Sequence, residues 1–219
     1  MAERNRARTF EYFSGFINPC FSMDVRMDVT EVVELSRRTG TSFFINTLYL
    51  VTTALHSIEE MRFRILDGDV VCYDVIHPGF TVMTDNGAYR NSFSEMSFDY
   101  SEFYSRCRAA IDYTREHPDD RDDPSNAFVG RLDVFYFSCI PWIDFRSMSH
   151  PLPLGEDGPL SIPRIVWGRY VEENGRLMMT MNLTADHALM DGYQMAMAFK
   201  EIQKRFDDPG SYIVTDRTA

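Results

Sequence analysis

The sequence predicts an α+β fold, a two-layer sandwich in which a mixed sheet carries helices on one face. Three features predict it. Two turn signals, Asp67-Gly68 and Glu173-Asn174-Gly175, each sit between β-rich runs. A continuous apolar run at 132–140 reads as a buried strand. Segments of helical spacing fall between these strands, and hairpins mixed with helices describe a sheet on which helices pack.

The elements follow in order. FSMDVRMDV (21–29) alternates as a strand does. Thr30 is placed to cap the helix EVVELSRR, which ends at Gly40 with Arg37 and Arg38 in its last turn. Ser42 is placed to cap a second helix, FFINTLYLVTTALHSI, whose few charges mark it as buried on most sides. FRILDGDVVCYD (63–74) is a hairpin and GFTVMT a further strand. Residues 100–117 have helical spacing, and the charged, proline-flanked PDDRDDPSN after them reads as a solvated loop. PRIVWGRYVEENGRLMMTMNL is a second hairpin, and QMAMAFKEIQKRF (194–206) a final helix. No repeat, low-complexity block or linker divides the chain, so residues 1–219 are expected to form one domain.

Composition narrows the function. Apolar residues are 44% and charged residues 25%, a globular balance. A net charge of -11 repels phosphate backbones and argues against a nucleic-acid partner. No stretch approaches the roughly 20 apolar residues that span a bilayer, and the N-terminus does not read as a signal peptide. Cys20, Cys72, Cys107 and Cys139 form no C-x-x-C pair and read as reduced, mostly buried thiols of a cytoplasmic protein.

The stretch TADHALMDGY (184–193) places a histidine between two aspartates where a strand gives way to a helix. On spacing alone, His187 reads as a structural residue beside a helix capped by Asp191. A second reading makes it a general base, since an imidazole accepts a proton near neutral pH. A metal site is not expected, because no other histidine or cysteine stands at ligand spacing from His187.

His187-Ala-Leu-Met-Asp191-Gly192 matches the H-x-x-x-D-G signature shared by chloramphenicol acetyltransferases and dihydrolipoyl acyltransferase cores. FSCIPWIDFRS (137–147) resembles the S-x-x-P-W-x-x-F segment of the former, and EEMRFRILDGDVVCYDVIHPGFTVM (59–83) is similar to another stretch of that family. The resemblance runs from about Arg6 to Phe206. It implies the acyl-CoA-dependent acyltransferase type of fold, acetyl-CoA as co-substrate with no tightly bound cofactor, and a small hydroxyl acceptor such as chloramphenicol. It also implies antibiotic resistance as the family's role, and a homotrimer with sites at subunit interfaces.

By the resemblance, His187 is the general base and Ser138 hydrogen-bonds the tetrahedral oxyanion. Asp191 pairs with an N-terminal arginine, which aligns with Arg6; Arg8 competes. Tyr12, Phe13 and Val166 fall on acceptor-contact positions, two of them without the family's tyrosine and threonine. Arg169 falls near the CoA entrance, where a solvated strand arginine is the other reading, and Trp142 is expected to pack in the core. Two departures stand out. W-x-R-K-E-x-F reads RNRARTF here, and Asp186 stands where a second histidine is usual, as it does in dihydrolipoyl enzymes. The alternatives are a dihydrolipoyl acyltransferase-like core and a non-catalytic trimeric relative.

Overall fold

The computed structural model describes residues 2–118, 130–153 and 160–214, with side chains from Arg6 onward. The chain begins with α1 (Ala2–Ser14), then β1 (Cys20–Asp28), α2 (Thr30–Thr39) and α3 (Phe43–His56). A 3-10 turn (Glu59–Arg62) leads into β2 (Phe63–Leu66) and β3 (Asp69–Cys72). Next come β4 (His77–Met83), β5 (Tyr89–Phe93), α4 (Tyr100–Glu116), β6 (Val134–Ile140) and β7 (Arg164–Gly168). β8 (Val171–Glu173), β9 (Arg176–Asp186) and α5 (Gly192–Asp207) complete the order, followed by a 3-10 turn, Pro209–Ser211.

Local chemistry explains most boundaries. Gly40 ends α2 in the left-handed region at φ 69°, where a Cβ is costly. Ser42 caps α3 by accepting from the Ile45 N–H at 3.4 Å. Asp67 and Gly68 both have positive φ, as the tight hairpin turn requires, and so do Asn174 and Gly175. Thr30 corrects the sequence reading: it is the first residue of α2, and its side chain does not cap. Its hydroxyl donates to the Asp28 carboxylate at 2.6 Å and accepts from the Leu177 N–H at 2.9 Å. The charged loop expected after α4 lies, from residue 119, outside the described residues.

The main sheet has seven strands in the order β1-β9-β7-β6-β4-β5, with β8 also pairing β9. It is mixed: β4–β6 and β6–β7 are parallel, the other pairs antiparallel. Because side chains alternate along a strand, the sheet has two chemically different faces. Phe135, Phe137, Ile165, Trp167, Met181 and Leu183 share one apolar cluster with residues of α2, α3, α4 and α5. The alternate residues Ser138, Thr180, Asn182 and Thr184 make the opposite face polar, although the last three are buried.

The segment 141–148 lies on that polar face. Asn182 donates to the Met148 carbonyl at 3.2 Å, the Arg169 N–H donates to the Ile143 carbonyl at 2.9 Å, and Arg26 pairs with both Asp144 and Glu173. Gly168 lets the segment come this close. A Cβ there would sit 2.9 Å from the Ile143 carbonyl oxygen and 3.0 Å from the Phe145 ring. Gly168→Ala is therefore expected to cost about 1–3 kcal/mol, the usual penalty of overpacking. A lowered thermal midpoint checks this; an unchanged one would mean that the segment shifts freely.

β2 and β3 form a separate two-stranded sheet. Arg64 fastens it to the body. Its guanidinium is 0% exposed and donates to the carbonyls of Met61 (2.9 Å), Phe63 (2.6 Å), Leu132 (2.7 Å) and Val134 (2.7 Å). Burial pushes its pKa down to about 9. The four cysteines are free, and Cys72, at the end of this hairpin, is exposed, so only part of the buried-thiol expectation fits.

Candidate active site

His187 stands on the turn between β9 and α5. The Asp186 carbonyl accepts from the N–H groups of Leu189 (3.1 Å) and Met190 (3.2 Å), and its carboxylate accepts from the Ala188 N–H at 2.8 Å. Asp186 is 1% exposed, so this carboxylate works as a turn former inside the fold. The His187 N–H donates to the Pro19 carbonyl at 3.1 Å, which ties the turn to the start of β1.

Two aromatic rings hold the imidazole. Phe13 stacks on it with ring centroids 4.1 Å apart and planes 11° from parallel, and Phe21 lies 4.5 Å away, tilted by 34°. The buried Nδ1 is 3.4 Å from Asp191 Oδ1, while Asp191 Oδ2 accepts from Arg6 Nη1 at 3.2 Å. Arg6 therefore makes the contact, and Arg8 is exposed. With the Asp191 side chain 47% exposed, this pair adds little stability; its effect is to hold the carboxylate in one place. Arg6 and Phe13 reach the site from α1, an element that no periodic pattern in the sequence marks.

Ser138 lies elsewhere, on the polar face of β6. Its hydroxyl is 3.3 Å from the Thr81 hydroxyl on β4, and both line a cleft of about 540 Å³. Tyr89, Asn91, Trp142 and Arg164 also line it. Trp142 corrects the expectation of core packing: it is 63% exposed, because β6 has ended and the chain has turned outward. Val166 stands beside Ser138 in register and is fully buried, Tyr12 is 64% exposed at the end of α1, and Arg169 is exposed next to β7.

The structure thus brings His187, Asp191, Arg6 and Phe13 together and leaves Ser138 apart. Ser138 pairs with Val166, and Val166 with Asn182 on β9. β9 runs on from Asn182 to Asp186 and His187 follows it, so the backbones of Ser138 and the end of β9 beside His187 are separated by roughly 16 Å, from about 3.3 Å per residue and about 4.8 Å per strand. Phe21, against the imidazole, and Gln194, on the Asp191 N–H, complete the site and are not among the residues the sequence motif names. Asp191 followed three residues later by Gln194 is a visible capping-box pattern, whereas nothing in the sequence marks Phe21. Among the described residues, no cluster of three or more His, Cys, Asp or Glu could hold a metal, and no helix is long and apolar enough to cross a membrane.

Comparison with known proteins adds to this geometry. A chloramphenicol acetyltransferase of Proteus mirabilis is 22% identical over 209 residues, 95% of this chain and 93% of that one. A solved chloramphenicol acetyltransferase aligns with a TM-score of 0.81 at 26% identity, covering 91% of this chain and 94% of the other. A truncated catalytic core of a 2-oxoacid dehydrogenase complex from Thermoplasma acidophilum, at 17% identity and a TM-score of 0.67, shares the fold. The family model for chloramphenicol acetyltransferase matches residues 1–203, so this chain belongs to that family and is an acyltransferase.

Proposed function

We propose that the protein transfers an acetyl group from acetyl-CoA to a hydroxyl of chloramphenicol or a similar small molecule, with His187 as general base. The observation that carries this reading is the way His187 is held. Phe13 and Phe21 fix its plane, and Asp191 faces Nδ1, which favours the tautomer with the proton on Nδ1. Nε2 is then the nitrogen that accepts the acceptor's hydroxyl proton. The oxygen so released attacks the thioester carbonyl, and the tetrahedral oxyanion takes a hydrogen bond from Ser138. Collapse breaks the carbon–sulfur bond, and the proton on Nε2 passes to the departing thiolate.

This chemistry needs Ser138 and His187 across one substrate, and in a single chain they are far apart. A homotrimer solves the difficulty by joining the histidine of one protomer to the Ser138 cleft of the next. Exposed Tyr12, Phe16 and Ile17 near the histidine, and Trp142 and Ile143 beside the cleft, favour such an interface. Arg169, whose N–H donates to the Ile143 carbonyl, is proposed to meet the CoA phosphates. Acetyl-CoA is a co-substrate here, and no tightly bound cofactor is invoked. In this reading residues 1–219 are one two-layer domain of the acyl-CoA-dependent acyltransferase type, supported by the apolar cluster common to the sheet and α2–α5.

The test follows thiol release from acetyl-CoA with and without chloramphenicol, then with other hydroxyl acceptors. Release that depends on an acceptor is expected; release that no hydroxyl compound increases would overturn the reading. The shared site makes a separate prediction. Mixing His187→Ala and Ser138→Ala chains by joint refolding should restore about a quarter of wild-type activity, half of the sites receiving an intact histidine and half of those an intact serine. No recovery would mean that both groups act within one chain.

A further inference from the structure

We propose that Gln194 and Glu60 are positioning residues for the His187–Asp191 pair. The proposal rests on the general-base reading of His187. Gln194, in the first turn of α5, accepts from the Asp191 N–H through Oε1 at 3.1 Å and donates through Nε2 to Glu60 Oε1 at 3.0 Å. Glu60 lies in the 3-10 turn before β2, 134 residues away in sequence.

The chemistry of the contacts gives them direction. A side-chain amide can be turned over, exchanging its oxygen and nitrogen, and its partners decide which way it lies. A carboxylate only accepts, so Glu60 draws the NH2 group and leaves the amide oxygen facing the Asp191 N–H. Asp191 is thereby held through its backbone as well as through Arg6, and its Oδ1 stays beside His187 Nδ1. Without that hold the Asp191 N–H loses its partner, the aspartate keeps Arg6 on its carboxylate and the Met195 N–H on its carbonyl, and a shift of the turn moves the group that orients the imidazole. Displacements of about 1 Å at a general base cost up to about a hundredfold in rate.

A capping role alone would show in stability. A positioning role shows in turnover by folded enzyme. Gln194→Ala and Glu60→Ala are each expected to lower kcat about tenfold, which is about 1.4 kcal/mol of barrier, with KM for both substrates within about twofold. Gln194→Glu alone places two carboxylates face to face and should lower kcat as well. Combining it with Glu60→Gln exchanges donor and acceptor, restores both contacts and should return kcat to near wild type.

The double variant keeps the test usable if Gln194→Ala fails to fold. If the single variants only lower the thermal midpoint while kcat per folded chain stays at the wild-type value, the proposal is overturned. It is also overturned if the exchange pair turns over no faster than Gln194→Glu. The general-base reading has its own control: His187→Ala with near-normal kcat ends that reading whatever Gln194 does.

Discussion

His187→Ala is expected to reduce acetyl transfer by about 10²–10⁴-fold, the usual contribution of a general base, while the fold and the proposed trimer persist. No other side chain takes over. Asp191 is held by Arg6, and the rings on either side of the imidazole are phenylalanines, which bind no proton. The loss should fall on kcat, because a general base acts on a proton in flight and contributes little to holding acetyl-CoA. Thiol release, the thermal midpoint and the assembly size measured on the same preparation check this. Turnover within a few-fold of wild type would return His187 to the structural reading that its spacing alone suggests.

The second large effect is expected at Ser138. Removing one oxyanion donor commonly costs about 10²–10³ in kcat, so Ser138→Ala should be almost as damaging as loss of the base. The signature is a fall in kcat with KM nearly unchanged, since the hydrogen bond strengthens only when charge develops on the oxygen. Thr81, 3.3 Å away, is no substitute: it stands on the neighbouring strand beside the serine. A rise in KM alone would make Ser138 a packing or binding residue.

Much of the fold was legible because it is written in local chemistry. The turns at Asp67-Gly68 and Asn174-Gly175 need positive φ and carry residues that tolerate it. β6 and β9 announce themselves by apolar or alternating runs. α1 and β5 do not. Tyr89–Phe93 reads YRNSF, with no consistent period, and becomes a strand because β4 offers an edge to pair with. Trp142 departs from expectation for a related reason: a large aromatic after an apolar strand looks like core, and only the turn after β6 sends it outward.

The site was legible in pieces. His187, Asp191 and Gly192 occupy one short stretch and could be read there. The partner of Asp191 could be narrowed only to Arg6 or Arg8, since which side of α1 faces β9 is decided by packing. The separation of Ser138 from His187 was invisible, because it depends on strand order and register along β9.

Arg64 has a consequence for the order in which the molecule comes together. Its hairpin can close as soon as it is synthesised, since β2 and β3 are separated by two residues. Two of the carbonyls that satisfy the guanidinium, those of Leu132 and Val134, come 68 and 70 residues later. A cation stripped of water before those carbonyls arrive costs several kcal/mol. The closed hairpin is therefore expected to dock only once the start of β6 is in place, its arginine staying hydrated until then. Arg64 is thus a latch that closes late, so the small sheet docks only against a body that has already formed.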